Sequence, residues 1–168
     1  LGEELRVDSR NIHAFIIGEH GDSELAVWSE ANVSGLALED FCRIRGQALS
    51  RVDMDRLYRQ VRDSAYEIIR RKGVTCYGIA MGVGRIAASI IRDEHAVLPI
   101  SVVLDGQYGL DGLALSIPSI VGRDGLEDIL EIPLSGEEES ALRNSARQMH
   151  EVISTLKLSR EPAYSKIF

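Results

Sequence analysis

The sequence predicts an α+β domain in which a mixed or antiparallel sheet is packed by long helices. An apolar run at residues 11–18 is typical of a strand, and residues 50–72 and 136–158 repeat apolar side chains at helical spacing. Residues 96–132 are rich in β-branched side chains and contain turn signals. The 168 residues, 45% of them hydrophobic, are enough to bury one core. We therefore expect a single domain over residues 1–168.

The first half of the chain predicts a strand at 11–18, a shorter extended piece at 25–28 and a long amphipathic helix from Ser50 to Lys72. Asp53 lies near the start of that helix, and Gly73 marks its end. The apolar residues of its stripe are Leu57, Val61, Ala65, Ile68 and Ile69. The periodicity indicates one helical face that packs on other elements.

Residues 75–92 predict a second helix that is apolar on most sides, as is typical of a helix in a core or a subunit interface. Within it, residues 82–87 match the G-x-G-x-x-A pattern of a dinucleotide-binding loop, and Asp105 follows about 20 residues later. Gly78 and Gly82 are also spaced as small residues are where two helices approach closely. The segment has no polar turn at its glycines, which favours the helix over the loop.

Residues 96–104, 113–121 and 125–132 predict an antiparallel meander, because turn signals such as Asp105-Gly106 separate them. Ser135 with Glu138 three residues later forms a capping box. A final helix is expected from there to about Leu158. The tail from Ser159 to Phe168 carries Pro162 and is expected to be irregular.

Composition excludes several classes of protein. The net charge of −7 and the lack of a Lys/Arg cluster argue against binding to nucleic acid or to an anionic membrane surface. No apolar run approaches the roughly 18 to 20 residues that span a bilayer. Cys42 and Cys76 are too few for a disulfide framework or a zinc site, so we expect no metal and a cytoplasmic location.

Residues 18–24, Gly-Glu-His-Gly-Asp-Ser-Glu, place His20 on a tight turn at the end of the first strand. An imidazole titrates near neutral pH, and glycines beside it let a substrate approach closely, so the segment suits proton transfer. A solvated loop histidine is the alternative interpretation. Asp22 is interpreted as a structural acid of the loop.

Several motifs resemble those of NAD-dependent L-lactate dehydrogenases. The resemblance covers residues 11–24, then Val27-Trp28-Ser29, and continues through 72–80, 97–101 and 118–123. The chain is therefore similar to the C-terminal, substrate-binding domain of the lactate/malate dehydrogenase family. The resemblance implies that the N-terminal Rossmann domain, which binds most of the NAD, is absent from this chain. It further implies a role in glycolysis and pyruvate fermentation and a homotetramer when full-length.

The resemblance also implies roles for individual residues. His20 would donate a proton to the carbonyl oxygen of pyruvate and take it back from lactate. The aspartate and the two arginines that complete such a site would lie upstream of Leu1. Thr75 would line the pocket around the substrate's methyl group, although a threonine just after Gly73 also suits a helix N-cap. The isolated chain is expected to be inactive and to self-associate.

His13 matches a histidine that binds fructose 1,6-bisphosphate across a subunit interface in many bacterial lactate dehydrogenases. A partly exposed strand histidine without a ligand is the alternative. For the whole protein, malate or another 2-hydroxy acid is the alternative substrate. A free-standing nucleotide-binding or oligomerisation module is an alternative of another class, and His20-x-Asp22 only weakly suggests a metallophosphatase because no second His/Asp cluster accompanies it.

Overall fold

The computed structural model describes residues 1–156, which contain six α-helices and six strands. The helices are α1 (Gly2–Leu5), α2 (Leu38–Ile44), α3 (Arg51–Arg62), α4 (Ser64–Lys72), α5 (Tyr77–Arg92) and α6 (Gly136–Thr155). The strands are β1 (Ile12–Ile17), β2 (Leu25–Val33), β3 (Leu36–Ala37), β4 (Ala96–Asp105), β5 (Asp111–Gly122) and β6 (Gly125–Ile129). The predicted α+β class is confirmed.

The strands form two antiparallel sheets of three strands each. The first has the order β1-β2-β3, and the second is the meander β4-β5-β6 that the turn signals predicted. A bridge between Gly18 and Ser116 joins the two sheets, with backbone N–H···O distances of 2.9 and 2.8 Å in the two directions. The end of β1 is therefore fixed to the middle of β5.

The main core lies between the two sheets and α6. Ile17 of β1, Leu115 and Ile117 of β5 and Leu142 of α6 have almost no solvent exposure. A smaller cluster packs α1 and α2 against β2, and its buried members are Leu5, Ala31, Val33, Leu38 and Cys42. Hydrophobic burial on this scale is the main favourable term in folding. The end of β1 is therefore packed into the main core through Ile17.

The predicted helix over residues 50–72 is interrupted. α3 ends at Arg62 and α4 begins at Ser64, because the Ser64 hydroxyl donates a hydrogen bond to the carbonyl of Val61 at 2.6 Å and so competes with the helical pattern. Gly73, with φ +83°, ends α4 as predicted. The apolar stripe of α4 is largely exposed, with Ile68 and Ile69 each at 45%.

Residues 77–92 form one continuous helix, which confirms the helical interpretation of the glycine pattern. A core position for this helix is wrong within the described part of the chain, because Ser89 is its one buried residue. Ile79 and Met81 are 62% and 76% exposed. Side chains added at Gly78, Gly82 or Gly84 would meet open space, so no helix of residues 1–156 packs there. None of the helices in this range is long and apolar enough to cross a membrane.

Two elements near the start differ from the sequence prediction. β2 extends to Val33 rather than Trp28. Ala31 and Val33 are buried and continue the alternation begun by Leu25 and Val27, with the exposed Ser29 between them. α2 was not predicted, since its seven residues are too short for a periodic signal. The structure describes α6 to Thr155, and the prediction for the tail lies outside the described residues.

The predicted capping box of α6 is confirmed and extends to the first sheet. The Glu138 carboxylate accepts hydrogen bonds from the Ser135 backbone N–H at 2.8 Å and from the Ser29 N–H at 3.0 Å, and the Ser29 hydroxyl donates to it at 2.5 Å. Burial by itself would raise the pKa of Glu138, but the hydrogen bonds from Ser29 and Ser135 outweigh burial and lower it. This buried carboxylate therefore joins α6 to β2.

Glu138→Ala should lower the free energy of unfolding by about 2 to 3 kcal/mol, since it leaves donors of Ser29 and Ser135 without a partner. Because the folded pKa is depressed, this contribution is complete above the ordinary value of 4.5 and is lost as the pH falls through the lower folded value. Urea denaturation of the full-length protein at several pH values measures both effects.

Glu139→Ala is the matched control, because Glu139 carries the same charge in the same turn but is exposed. It should change the free energy of unfolding by less than about 0.5 kcal/mol. Equal losses in the two variants would contradict the role of Glu138.

Candidate active site

The loop of residues 18–24 connects β1 to β2 and carries His20. The last strand pair before the loop is Ile17 with Leu25, and the bridge from Gly18 to Ser116 holds the base of the loop on the second sheet. The His20 side chain is exposed at the surface. The predicted position of His20, on a turn at a strand end, is confirmed.

Gly18 is required at the base of the loop for two reasons. Its φ of +95° is rarely adopted by residues with a side chain. A Cβ at this position would also lie 2.9 Å from Ser145 Oγ and 3.1 Å from Leu25 Cδ2. The glycine therefore lets the backbone beside His20 pack directly against α6.

Glu19 and Ser23 hold the loop together from within. The Glu19 carboxylate accepts hydrogen bonds from the Ser23 N–H at 3.1 Å and the Ser23 hydroxyl at 2.7 Å. The Glu19 backbone N–H donates to Ser145 Oγ of α6 at 2.8 Å. His20 and Gly21 lie between these anchored residues, so the imidazole extends from a fixed backbone.

Two tyrosines attach the loop to the helices beside it. Tyr66 of α4 donates a hydrogen bond to the Asp22 carboxylate at 2.8 Å, which raises the pKa of Tyr66. Tyr58 of α3 donates to the carbonyl of Glu24. Asp22 thus makes the contact expected of a structural acid. Three helices of the domain hold the loop in place.

The loop concentrates negative charge around the imidazole. Glu19, Asp22 and Glu24 all lie within four residues of His20 in the chain. Burial raises the pKa of Glu24, and the nearby His20 opposes that shift. The His20 ring is exposed beside these groups and is therefore accessible from the surface.

Thr75 lies in the segment between α4 and α5 and is half-buried. The alternative interpretation of Thr75 as a helix cap is wrong, because α5 begins at Tyr77 with Cys76 in the N-cap position and has no capping hydrogen bond from a side chain. Across residues 1–156, no hydrogen bond joins Thr75 to the loop of His20.

His13 is exposed on β1, away from the loop of residues 18–24. It borders an open groove of about 610 Å³ whose other lining residues include Phe15, Arg85 and Glu94. The Arg85 guanidinium pairs with the Glu94 carboxylate. The groove therefore contains two basic side chains and one acid.

One group of described residues has the side chains to hold a metal ion, and it lies outside the loop of His20. Asp93, His95 and Glu127 offer ligand atoms within 4.8 Å of one another. His95 Nδ1 is 2.6 Å from Glu127 Oε2, and this hydrogen bond, with the charges of Glu127 and Asp93, raises the pKa of His95. The contact joins the start of β4 to β6.

The model of the lactate/malate dehydrogenase alpha/beta C-terminal domain matches residues 1–158. The chain belongs to the lactate/malate dehydrogenase family. An L-lactate dehydrogenase of Moorella thermoacetica is 49% identical over 159 residues, which are 94% of this chain and 50% of that protein. One of Acetivibrio thermocellus is 46% identical over 93% of this chain and 49% of its own length. The chain thus spans about half the length of these relatives.

Solved structures of the family share the fold. The lactate dehydrogenase MGS-M5 from a Medee basin deep-sea metagenome library superposes with a TM-score of 0.89 at 39% identity, over 94% of this chain and 50% of that one. The minor L-lactate dehydrogenase of Enterococcus mundtii, in its ligands-bound form, gives a TM-score of 0.87 at 36% identity over the same shares. The predicted family is confirmed by sequence and by fold.

Sequence reasoning missed the residues that hold the loop. The helical spacing of residues 136–158 places Ser145 on the apolar stripe of the last helix, between Leu142 and Met149, and indicates no contact with the loop. A hydroxyl at a core position is itself a signal, because a buried polar group needs a hydrogen-bond partner. Tyr58 and Tyr66 carried no such signal, since each lies on a half-exposed or exposed helix face.

Gly18→Ala should destabilise the full-length protein by about 1 to 2 kcal/mol more than Gly35→Ala, because a methyl group at position 18 meets Ser145. Gly35 is the matched control, since its φ is +85° but a Cβ there would have no neighbour within 4 Å. Gly35→Ala should therefore lower the free energy of unfolding only by the roughly 1 kcal/mol that alanine costs in the left-handed backbone conformation. Denaturant unfolding measures both, and equal losses would show that Ser145 does not constrain position 18.

Proposed function

We propose that this chain is the C-terminal, substrate-binding half of an NAD-dependent L-lactate dehydrogenase that interconverts (S)-lactate and pyruvate. The observation that carries the proposal is the exposed His20 on a loop fixed by both sheets and by three helices. Membership of the family and the similarity to proteins named L-lactate dehydrogenase support the choice of substrate. Malate is the near alternative, because the family model covers both enzymes.

His20 would act as the acid in reduction and as the base in oxidation. When pyruvate is reduced, the carbonyl carbon gains a hydride and the carbonyl oxygen gains the proton from His20 Nε2 or Nδ1. When lactate is oxidised, the same nitrogen takes the hydroxyl proton back. The fixed loop supports this role, because a proton donor must lie within hydrogen-bond reach of the oxygen.

This chain does not supply a dinucleotide site of its own among the described residues. The glycines of its G-x-G-x-x-A pattern lie inside α5 rather than in a loop between a strand and a helix. We infer that NAD, which supplies or accepts the hydride when bound, is held mainly by the part of the enzyme outside residues 1–168. A chain that carries the proton donor but not the main NAD site requires the rest of the protein for turnover.

Thr75 is proposed to limit the size of the substrate's side chain. Its half-buried position ahead of α5, and the absence of a capping role, leave its side chain available for contact with a ligand. We also propose that the enzyme is a homo-oligomer. The exposed apolar faces of α4 and α5 support this, since such surfaces mark interaction sites.

His20→Ala should lower kcat for pyruvate reduction by about 100-fold or more while NADH binding survives, because the substitution removes only the proton donor. Steady-state kinetics of the full-length enzyme with pyruvate and NADH measure kcat, and fluorescence titration measures NADH binding. His150→Ala, at an exposed histidine of α6, is the control and should leave kcat unchanged. Activity of His20→Ala within a few-fold of wild type would refute the role of His20.

A second proposal concerns regulation, and the groove beside His13 favours it. We propose that fructose 1,6-bisphosphate binds there with His13 beside one phosphate, since His13 lines the groove and the Arg85 guanidinium, paired with Glu94, lines the same groove. His13→Ala should weaken activation by about 1 to 3 kcal/mol, whereas His150→Ala should not. Apparent KM values for pyruvate with and without the effector decide this, and a wild-type enzyme that is not activated would leave His13 without this role.

A further inference from the structure

We propose that Ser145 of α6 is a positioning residue for His20, which acts through a chain of hydrogen bonds to Ser23 and Glu19. The proposal rests on the proposed role of His20 in proton transfer. Ser145 lies on a different element from His20 and does not itself reach a substrate over the loop. Its effect on the reaction would come through the backbone that carries the imidazole.

The burial of Ser145 shows that its hydroxyl has a specific function in the fold. Its solvent exposure is 0%, and it lies beside Leu142 and Ala146 of the core. A buried hydroxyl is costly unless it is hydrogen-bonded, and an alanine would fill most of the same space. Ser145 Oγ accepts the Glu19 N–H at 2.8 Å, so its partner is the backbone N–H of the residue directly before His20.

The donors and acceptors of the cluster can be assigned in one consistent direction. The Glu19 carboxylate can only accept, so the Ser23 hydroxyl donates to it over 2.7 Å. Ser23 Oγ is then free to accept from Ser145 Oγ, which lies 3.3 Å away. The chain from Ser145 through Ser23 to Glu19 uses each hydroxyl hydrogen once. Glu19 is thereby held at its backbone and at its side chain.

The other end of this chain of hydrogen bonds is anchored in the core. α6 is capped by Ser135 and Glu138, and its Leu142 packs in the core between the sheets. Gly18 brings the loop backbone into direct contact with Ser145, because it has no side chain. Ser145 therefore sets the position of His20 relative to the core, and catalytic geometry is sensitive to shifts of about 1 Å.

The test compares two serines of α6 in the full-length enzyme. Ser145→Ala should lower kcat for pyruvate about tenfold, with KM for pyruvate and NADH within about twofold, because binding persists while the proton donor is misplaced. Ser140→Ala is the control, since the exposed Ser140 hydroxyl bonds only to its own helix, at 2.8 Å from the Gly136 carbonyl. It should leave kcat unchanged.

A second pair of variants separates positioning from folding. Ser23→Ala removes the middle of the chain and should also lower kcat, whereas Ser23→Thr keeps the hydroxyl and should restore most of it. Melting temperatures are measured for every variant, and kinetics are run well below them. A reduced kcat in fully folded Ser145→Ala and Ser23→Ala, with rescue by threonine, supports the proposal.

Two results would overturn it. One is a kcat for Ser145→Ala within twofold of that for Ser140→Ala while His20→Ala is inactive, which refutes positioning and leaves the proposed function intact. The other is a loss of kcat that matches the fraction of unfolded enzyme, which makes Ser145 purely structural. If His20→Ala keeps its activity, the proposed function itself fails, so the two failures are distinguishable.

Discussion

The domain depends on the backbone contact between Gly18 and Ser116, where its two sheets meet. Each three-stranded sheet is small by itself, and the bridge lets both share one core with α6. The contact is possible because Gly18 adopts a positive φ and leaves room for Ser145. Since His20 lies two residues beyond Gly18, the point that joins the sheets also fixes the candidate active site.

Polar side chains connect the elements at this junction, while apolar side chains fill the core behind it. Ser145 and Glu138 of α6 are buried, and each bonds backbone N–H groups of the first sheet or its loop. Fully satisfied buried polar groups specify one arrangement of the elements more strictly than apolar packing does. Of these contacts, the one from Ser145 lies on the residue directly before His20.

Two of the helices have a different character. α4 and α5 expose apolar side chains such as Ile69 and Met81 rather than burying them. Exposed apolar side chains grouped on helix faces are unfavourable for a chain in isolation and are typical of a surface that contacts another domain or subunit. The exposed apolar faces of these helices are consistent with a chain that spans about half the length of its relatives.

The sequence by itself determined the α+β class, the meander, the continuous helix over the glycine pattern and the strand-end turn of His20, because these follow from local periodicity and turn chemistry. The family followed from motifs spread along the chain. Only the tertiary structure decided that α5 is exposed and that Ser145, Tyr58 and Tyr66 hold the loop. Those contacts join residues 34 to 126 positions apart, and no local pattern encodes which distant residue a side chain will meet.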